Sequence, residues 1–461
     1  MRLWSVLLAA GTLAGSASLT QAQSVGPFAK PAEVTSLPNG LKVITVPWQS
    51  PGILAYFTLV RVGARDEVEK GHSGFAHLFE HMMFRGTERF PQKIYEERIQ
   101  SLGADNNAYT TQDFTLYTIT GPASALQEIV DLEADRFQRL AYDETQFRTE
   151  TGAVLGEYNK SASNPFIKMW ETLSELAFRS HTYGHTTIGY LADIQAMPDK
   201  FGYSKAFFQR FYTPDNTTII AAGDVSHASL VKLVGERYGS WQGTRDKPAI
   251  PVEPEPTEGA RKHLDWEGTS SPQMLIGYRT AAFEGEGSEA ERAARLRDTA
   301  ALEVVHALLF DASAPLYQEL VVDKQQVLGF GSWAANYSRD PGLFVINAEL
   351  KPETSFDQIE QRVQEAVEDV AKGHTDPARI EGVRSHLTYG LTMQVETASD
   401  AADTFAQFLA VTGKEDGLAR YLAALAKVTP ADVARVAQRY LLPTRRFTVT
   451  LSPKQKTGGA P

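Results

Sequence analysis

The spacing of apolar and polar positions predicts a chain in which strands and helices are mixed. Asn39-Gly40 precedes the alternating segment Lys42–Val46 and predicts a hairpin turn, and the β-branched and aromatic run 53–62 predicts a further strand. The segment 107–119 alternates and is rich in Thr and aromatic residues, which predicts one strand. Apolar residues at helical spacing predict helices beginning near Ser73 and over 91–102, 123–139 and 144–161.

The composition changes near residue 245. Residues 246–259 are charged, rich in proline and without periodicity, which is typical of an extended linker. We therefore expect two domains of similar length, 24–245 and 260–453, joined by the linker 246–259.

The two halves share a pattern that indicates a duplicated domain. In each, a proline starts a helix, an aromatic residue stands three before a second proline, and a β-branched strand follows. The matching positions are Pro198, Phe211, Pro214 and 217–221 in the first half, and Pro430, Tyr440, Pro443 and 447–451 in the second. The expected fold class is α+β, with two homologous domains that are each an antiparallel sheet flanked by helices.

The N-terminus has the pattern of a secretory signal peptide, residues 1–22. Arg2 is followed by an apolar stretch at 3–14 and then by small and polar residues. Cleavage is expected after Ala22, with Ala17 as the alternative. The apolar run of about 12 residues is too short to span a bilayer. We expect a periplasmic or secreted protein without a membrane span.

The composition argues against several classes of function. The chain has 461 residues, of which 43% are hydrophobic, enough for two well-buried cores. Its formal net charge of −11 argues against a nucleic-acid-binding protein, which would present a basic face. Because the sequence has no cysteine, disulfides, cysteine nucleophiles and cysteine-based metal sites are excluded.

The segment His77-Leu78-Phe79-Glu80-His81 carries the strongest chemical signal. On a helix, residues four apart lie on one face, so His77 and His81 can bind one ion. Glu80 lies beside that face and can act as a general base. The alternative is a pair of structural core histidines, but burying two imidazoles and a carboxylate is costly unless a cation compensates them.

A catalytic zinc takes a third protein ligand and leaves one position open. Glu150 and Glu157 lie seven residues apart on a predicted helix, two turns, so both can face the same way. The spacing leaves both open as the third ligand, with the other as a supporting carboxylate. A solvated helix face is the alternative for each.

Residues 77–87, His-Leu-Phe-Glu-His-Met-Met-Phe-Arg-Gly-Thr, resemble the inverted zinc motif of the pitrilysin family. That family includes insulin-degrading enzyme and mitochondrial processing peptidase. The resemblance implies Zn²⁺ as cofactor, Glu80 as catalytic base, and a distal glutamate about 75 residues on as the third ligand. Glu157, with 75 residues between it and His81, matches that ligand, and Glu150 matches the family's supporting carboxylate.

The resemblance extends over nearly the whole mature chain. Asn107, Ala108 and Tyr109, followed by Thr, are similar to the start of the family's substrate-binding edge strand, which implies that a peptide pairs there. His181 and His185 also stand four apart, but no Glu accompanies them, and we interpret them as structural or as part of a pocket wall.

The second half departs from the family pattern. Many relatives have an Arg and, seven residues later, a Tyr that bind the substrate carbonyl; here those positions hold Val321 and Leu328, with Phe330 nearby. His306 stands alone in its predicted helix. The resemblance therefore implies a zinc-bearing subunit that lacks part of the site. The expected partner is a homologous subunit with the Arg/Tyr pair, or, in a homodimer, a second copy in which Tyr337 substitutes.

These observations predict a zinc-dependent endopeptidase that cleaves peptides or unfolded segments as the active subunit of a dimer. Two alternatives stay open at this stage. One is a non-catalytic binding or assembly subunit of the same fold, and the other is a metallohydrolase that does not act on peptides.

Overall fold

The computed structural model describes residues 27–28, 30–333 and 337–454, so the predicted signal peptide lies outside the described residues. The strands are β1 Glu33–Ser36, β2 Lys42–Val46, β3 Ile53–Val60, β4 Asp105–Thr110, β5 Thr115–Pro122, β6 Thr217–Gly223, β7 Ala260–Trp266, β8 Gln273–Arg279, β9 Val327–Trp333, β10 Leu343–Leu350 and β11 Arg446–Pro453. The helices of the first half are α1 Phe75–Met82, α2 Gln92–Ser101, α3 Leu126–Arg139, α4 Glu144–Ala162, α5 Pro165–Ala177, α6 Leu191–Ala196, α7 Phe201–Phe211 and α8 His227–Tyr238. Those of the second half are α9 Glu289–Phe310, α10 Pro315–Tyr317, α11 Phe356–Ala371, α12 Pro377–Met393, α13 Ala398–Thr412, α14 Gly417–Leu425 and α15 Pro430–Tyr440.

The strands form two sheets with matching topology. The first has the order β1-β2-β6-β3-β5-β4 and the second β7-β11-β8-β10-β9. Without β1, the two orders correspond strand for strand. In both sheets neighbouring strands are antiparallel except for one pair, β2 with β6 and β7 with β11, which is parallel. The expected α+β class, with two sheets flanked by helices, is confirmed.

The prediction of one strand over 107–119 is wrong, because the segment folds into the hairpin β4–β5. Thr111 forms the turn: its Oγ1 accepts hydrogen bonds from the N–H groups of Asp113 and Phe114, both at 3.1 Å. Such side-chain-to-backbone bonds compete with strand pairing. The hairpin pairs β4 with β5, and β4 is the last strand of its sheet.

Each sheet is covered on one face by a helix from the other half. Helix α13 packs on β3 and β6 of the first sheet, and α5 packs on β8 and β11 of the second. Leu173 of α5 approaches β8 closely at Gly277, where a Cβ atom would come within 3.1 Å of the leucine side chain. The two halves are interlocked through these exchanged helices.

Among the described residues, one helical stretch, Glu289–Asp323, is long and apolar enough to cross a membrane by length and composition. Of its most apolar window, 67% is buried inside the protein. Packing in the core of the second half therefore accounts for its apolar character, as for other buried helices.

Candidate metal centre

The N-terminus of helix α1, just before His77, is held in place by hydrogen bonds and close packing. The buried carboxylate of Glu67 accepts hydrogen bonds from the N–H groups of Gly74, at 2.7 Å, and Ala76, at 2.6 Å. Gly74 has a φ of +91°, and a Cβ atom there would meet the carbonyl oxygen of Ile188 at 2.4 Å. Burial raises the pKa of Glu67 to about 8, and the two backbone hydrogen bonds oppose this shift. Residues of the α1 face opposite the histidines are buried, which locks the helix in rotation: Phe75, Leu78, Phe79 and Met82.

The structure brings His77, His81 and Glu157 together. Their ligand atoms all lie within 4.8 Å of one another. The Oε2 atom of Glu157, from α4, lies 3.5 Å from the Nε2 atom of His77 and 3.5 Å from that of His81. In the part of the chain that the structure describes, no other group of three or more His, Asp or Glu residues is close enough to hold a metal ion.

The donor set fits a zinc ion. Burial lowers the pKa of His77 to about 4, with the neighbouring His81 acting in the same direction, so the His77 imidazole is neutral at physiological pH, the form that can bind a metal ion. Its Nε2 atom faces Oε2 of Glu157, so this is the nitrogen that would bind the ion. Two imidazoles and one carboxylate are a known ligand set of catalytic zinc.

Glu80 points to the same region and is held by the end of β4. The hydroxyl of Thr110 donates a hydrogen bond to Oε2 of Glu80 at 2.7 Å. Burial raises the pKa of Glu80 above its ordinary value, and the hydrogen bonds from Thr110 oppose this shift. A partly buried carboxylate with a raised pKa is suited to proton transfer near neutral pH.

Glu150 lies on the other side of His81. Its Oε2 atom is 3.3 Å from Nδ1 of His81, and its Oε1 atom is paired with the guanidinium of Arg85. In this arrangement Glu157 faces the Nε2 atoms of both histidines, while Glu150 faces only the far nitrogen of one. The sequence reasoning missed Arg85, although it lies in the Phe-Arg-Gly-Thr continuation of the motif.

The residues expected to bind substrate occupy the edge strand β4. Asn107 is exposed and Ala108 is buried. Tyr109 is turned towards the second half, where its hydroxyl donates a hydrogen bond to Oδ1 of Asp403 at 2.7 Å. Because β4 ends its sheet, one side of its main chain has no neighbouring strand there.

His181 and His185 contact residues other than His77, His81 and Glu157. Nε2 of His181 is 3.1 Å from Oδ2 of Asp340, and Nε2 of His185 is 3.8 Å from Oε2 of Glu67. Both histidines are buried, and neither belongs to the group of ligand atoms around Glu157.

In the second half, Leu328, which stands where we expected a tyrosine from the family resemblance, lies on the edge strand β9 and is 52% exposed. The ring of Tyr337 packs into the core of that half, 5.2 Å from the ring of Phe283. His306 is engaged by Ser332, whose Oγ lies 2.6 Å from its Nδ1, and by Asp311.

The chain matches two family models. Residues 56–190 match "Insulinase (Peptidase family M16)" and residues 204–387 match "Peptidase M16 inactive domain". Zinc protease PqqE of Helicobacter pylori is 26% identical over 435 residues, which cover 91% of this chain and 93% of that protein. A probable mitochondrial-processing peptidase subunit beta of Arabidopsis thaliana is 24% identical, covering 88% and 76%.

Solved structures have the same fold. A protease from Helicobacter pylori superimposes with a TM-score of 0.83 at 26% identity and covers 92% of this chain and 100% of that one. The periplasmic protease PqqL from Escherichia coli has a TM-score of 0.74 at 15% identity; the match covers 92% of this chain but only 48% of that one. The two matched segments and the zinc protease relatives agree with the motif at 77–87, and the chain belongs to peptidase family M16.

Proposed function

We propose that this protein is a zinc-dependent endopeptidase. The observation that carries the proposal is the convergence of His77, His81 and Glu157, with Glu80 held beside them by Thr110. When bound by the three ligands, zinc supplies a Lewis acid that polarises a peptide carbonyl and acidifies water.

The chain's own residues supply the proton transfers. Glu80 accepts a proton from the attacking water and delivers it to the leaving nitrogen of the cleaved peptide bond. Its partly buried position and its bond to Thr110 keep the carboxylate in one orientation. Glu150 accepts from Nδ1–H of His81, which leaves the lone pair of Nε2, on the side where Glu157 lies, free to bind the ion.

The substrate is proposed to be an extended peptide paired with β4. This strand ends its sheet, so one row of its main-chain groups has no neighbouring strand within the sheet. Main-chain pairing tolerates varied side chains, and it requires a substrate that is already unfolded or flexible. Thr110, the last residue of β4, would place the bound peptide next to Glu80.

Cleavage of fluorogenic and unfolded peptides, with and without a chelator, tests this function. We expect hydrolysis that stops when zinc is removed and returns when zinc is added. Hydrolysis that persists in the metal-free protein would contradict the proposal.

A non-catalytic subunit is the second candidate. It is favoured by Val321 and Leu328, which stand where the family resemblance implies an Arg/Tyr pair, and by the match of residues 204–387 to the inactive-domain model. The presence of Glu80 argues against it, because a subunit that only binds need not keep a base. Zinc binding without peptide hydrolysis, alone and with a partner, would favour this candidate.

We propose that activity requires a second, homologous subunit that carries the Arg/Tyr pair. The twofold length of PqqL, of which this chain spans about half, supports an arrangement of two such units. Loss of one donor to the developing oxyanion costs about 10²–10³-fold in rate. The isolated chain should therefore turn over slowly and be accelerated by the partner. In the homodimer version, Tyr337 would have to leave its packing against Phe283.

Export through cleavage near Ala22 remains part of the proposal. Fractionation of the native cells and sequencing of the mature N-terminus test it. An N-terminus that retains residues 1–22 would contradict it.

A further inference from the structure

The turn after helix α1 is rigid, although its residues bind neither the proposed metal nor the proposed substrate. Gly86 has a φ of +85°, and a Cβ atom there would meet the carbonyl oxygen of Phe90 at 2.3 Å, so a side chain is excluded. The buried Thr87 donates to Oδ2 of Asp135 at 2.5 Å and accepts from the N–H of Phe90 at 2.9 Å. The backbone of Arg85, just before this glycine, is therefore held in a fixed place.

The side chain of Arg85 forms an ion pair with one residue and a hydrogen bond with another. One end of its guanidinium pairs with Oε1 of Glu150, and Nη1 donates to Oε1 of Gln92 at 3.1 Å. The side chains of Arg85 and Glu150 are 21% and 10% exposed, so their ion pair is largely removed from water. The other oxygen of Glu150 faces Nδ1 of His81.

We propose that Arg85 is a positioning residue for His81 and acts through Glu150. The inference rests on the proposed zinc site. A guanidinium holds a carboxylate at a fixed point and angle. With Oε1 held by Arg85, Oε2 stays at Nδ1 of His81, which then carries the proton, and Nε2 is left free towards Glu157. The Phe-Arg-Gly-Thr turn thereby sets the orientation of a metal ligand.

A role for Arg85 as a direct donor to the substrate carbonyl fits the contacts less well. Its guanidinium already serves Glu150 and Gln92, and leaving them would uncover the buried carboxylate of Glu150. An unpaired buried carboxylate is strongly disfavoured.

Zinc affinity of the full-length mature chain, measured by competition with a chromogenic chelator, tests the inference without relying on activity. Loss of residues that orient a zinc ligand typically weakens binding about 10–100-fold. Arg85→Met should weaken zinc binding by that factor, and Arg85→Lys, which keeps the charge, should lose less. Arg89→Met is the matched control: Arg89 is exposed, stacks on Phe90 and should leave zinc affinity unchanged.

A double-mutant cycle with Glu150→Gln distinguishes positioning from a general structural role. If Arg85 acts through Glu150, Arg85→Met should add little to the loss already caused by Glu150→Gln. Independent, additive losses would overturn the inference, as would an Arg85→Met variant with wild-type affinity. If Arg85→Met does not fold, Arg85→Gln, which also removes the charge, gives the same test in the same cycle. A wild-type chain without zinc affinity would instead overturn the proposed function, and this inference with it.

Discussion

The bond between Thr110 and Glu80 leads to a sharp prediction about catalysis. Thr110→Val keeps the shape and volume of the side chain and removes the hydroxyl that lies 2.7 Å from Oε2 of Glu80. The backbone N–H of Thr110 also bonds to Glu80 and is kept in the variant. The substitution therefore removes one of the two hydrogen bonds that hold Glu80 at the end of β4.

A hydrogen bond to a charged group contributes about 1.5–3 kcal/mol. At 1.4 kcal/mol per factor of ten, complete loss of that contribution would slow catalysis about 10–100-fold. Because the backbone bond remains, we expect the lower end, about 10-fold, in kcat. The metal ligands are untouched, so zinc affinity should not change.

The assay is steady-state hydrolysis of a fluorogenic peptide, with zinc content measured on the same samples. Thr110→Ser, which keeps the hydroxyl, should restore most of the rate. Thr388→Val is the matched control, because Thr388 is also half-buried but lies on α12, where its hydroxyl bonds to the carbonyl oxygen of Arg384. An unchanged kcat in Thr110→Val, or an equal loss in Thr388→Val, would refute the reasoning.

Two further predictions concern metal binding and stability. His77→Ala should abolish tight zinc binding, because His77 is one of the three proposed ligands. His306→Ala should keep it, because His306 is hydrogen-bonded to Ser332 instead. Metal analysis that finds equal zinc in both variants would contradict the assignment of His77 as a ligand. Burial, reinforced by Asp311, raises the pKa of Glu303 to about 7, so its contribution to stability is complete below the pKa of the unfolded chain and is lost as the pH rises through about 7. Glu303→Gln should therefore be more stable than the wild type by about 3 kcal/mol at about pH 8.5 and similar to it at about pH 5 in urea melts, and an equal difference at both pH values would count against the shift.

The sequence predicted the centre of the site because its chemistry is local. His77 and His81 stand four apart on one helix, so their convergence follows from helix geometry alone. The proposed third ligand was different, since the spacing of Glu150 and Glu157 left both open and only the family resemblance favoured one. The structure places these two glutamates on different nitrogens of His81, a distinction that depends on how α4 packs against α1.

Other features could not be predicted because they depend on contacts between distant segments. Thr110 and Arg85 acquire their roles only when β4 and the turn after α1 meet Glu80 and Glu150. The hydrogen bond from Tyr109 to Asp403 joins residues 294 positions apart in the sequence. The exchange of α5 and α13 between the two sheets likewise leaves no local signal.

The most direct test of the central claim is the rate of peptide hydrolysis by Glu80→Gln, measured on protein shown to carry one zinc per chain. Removal of a general base typically costs about 10²–10⁴-fold in rate. The account predicts a zinc-loaded, folded variant with a loss in that range. A variant that retains zinc and hydrolyses peptides at the wild-type rate would contradict it.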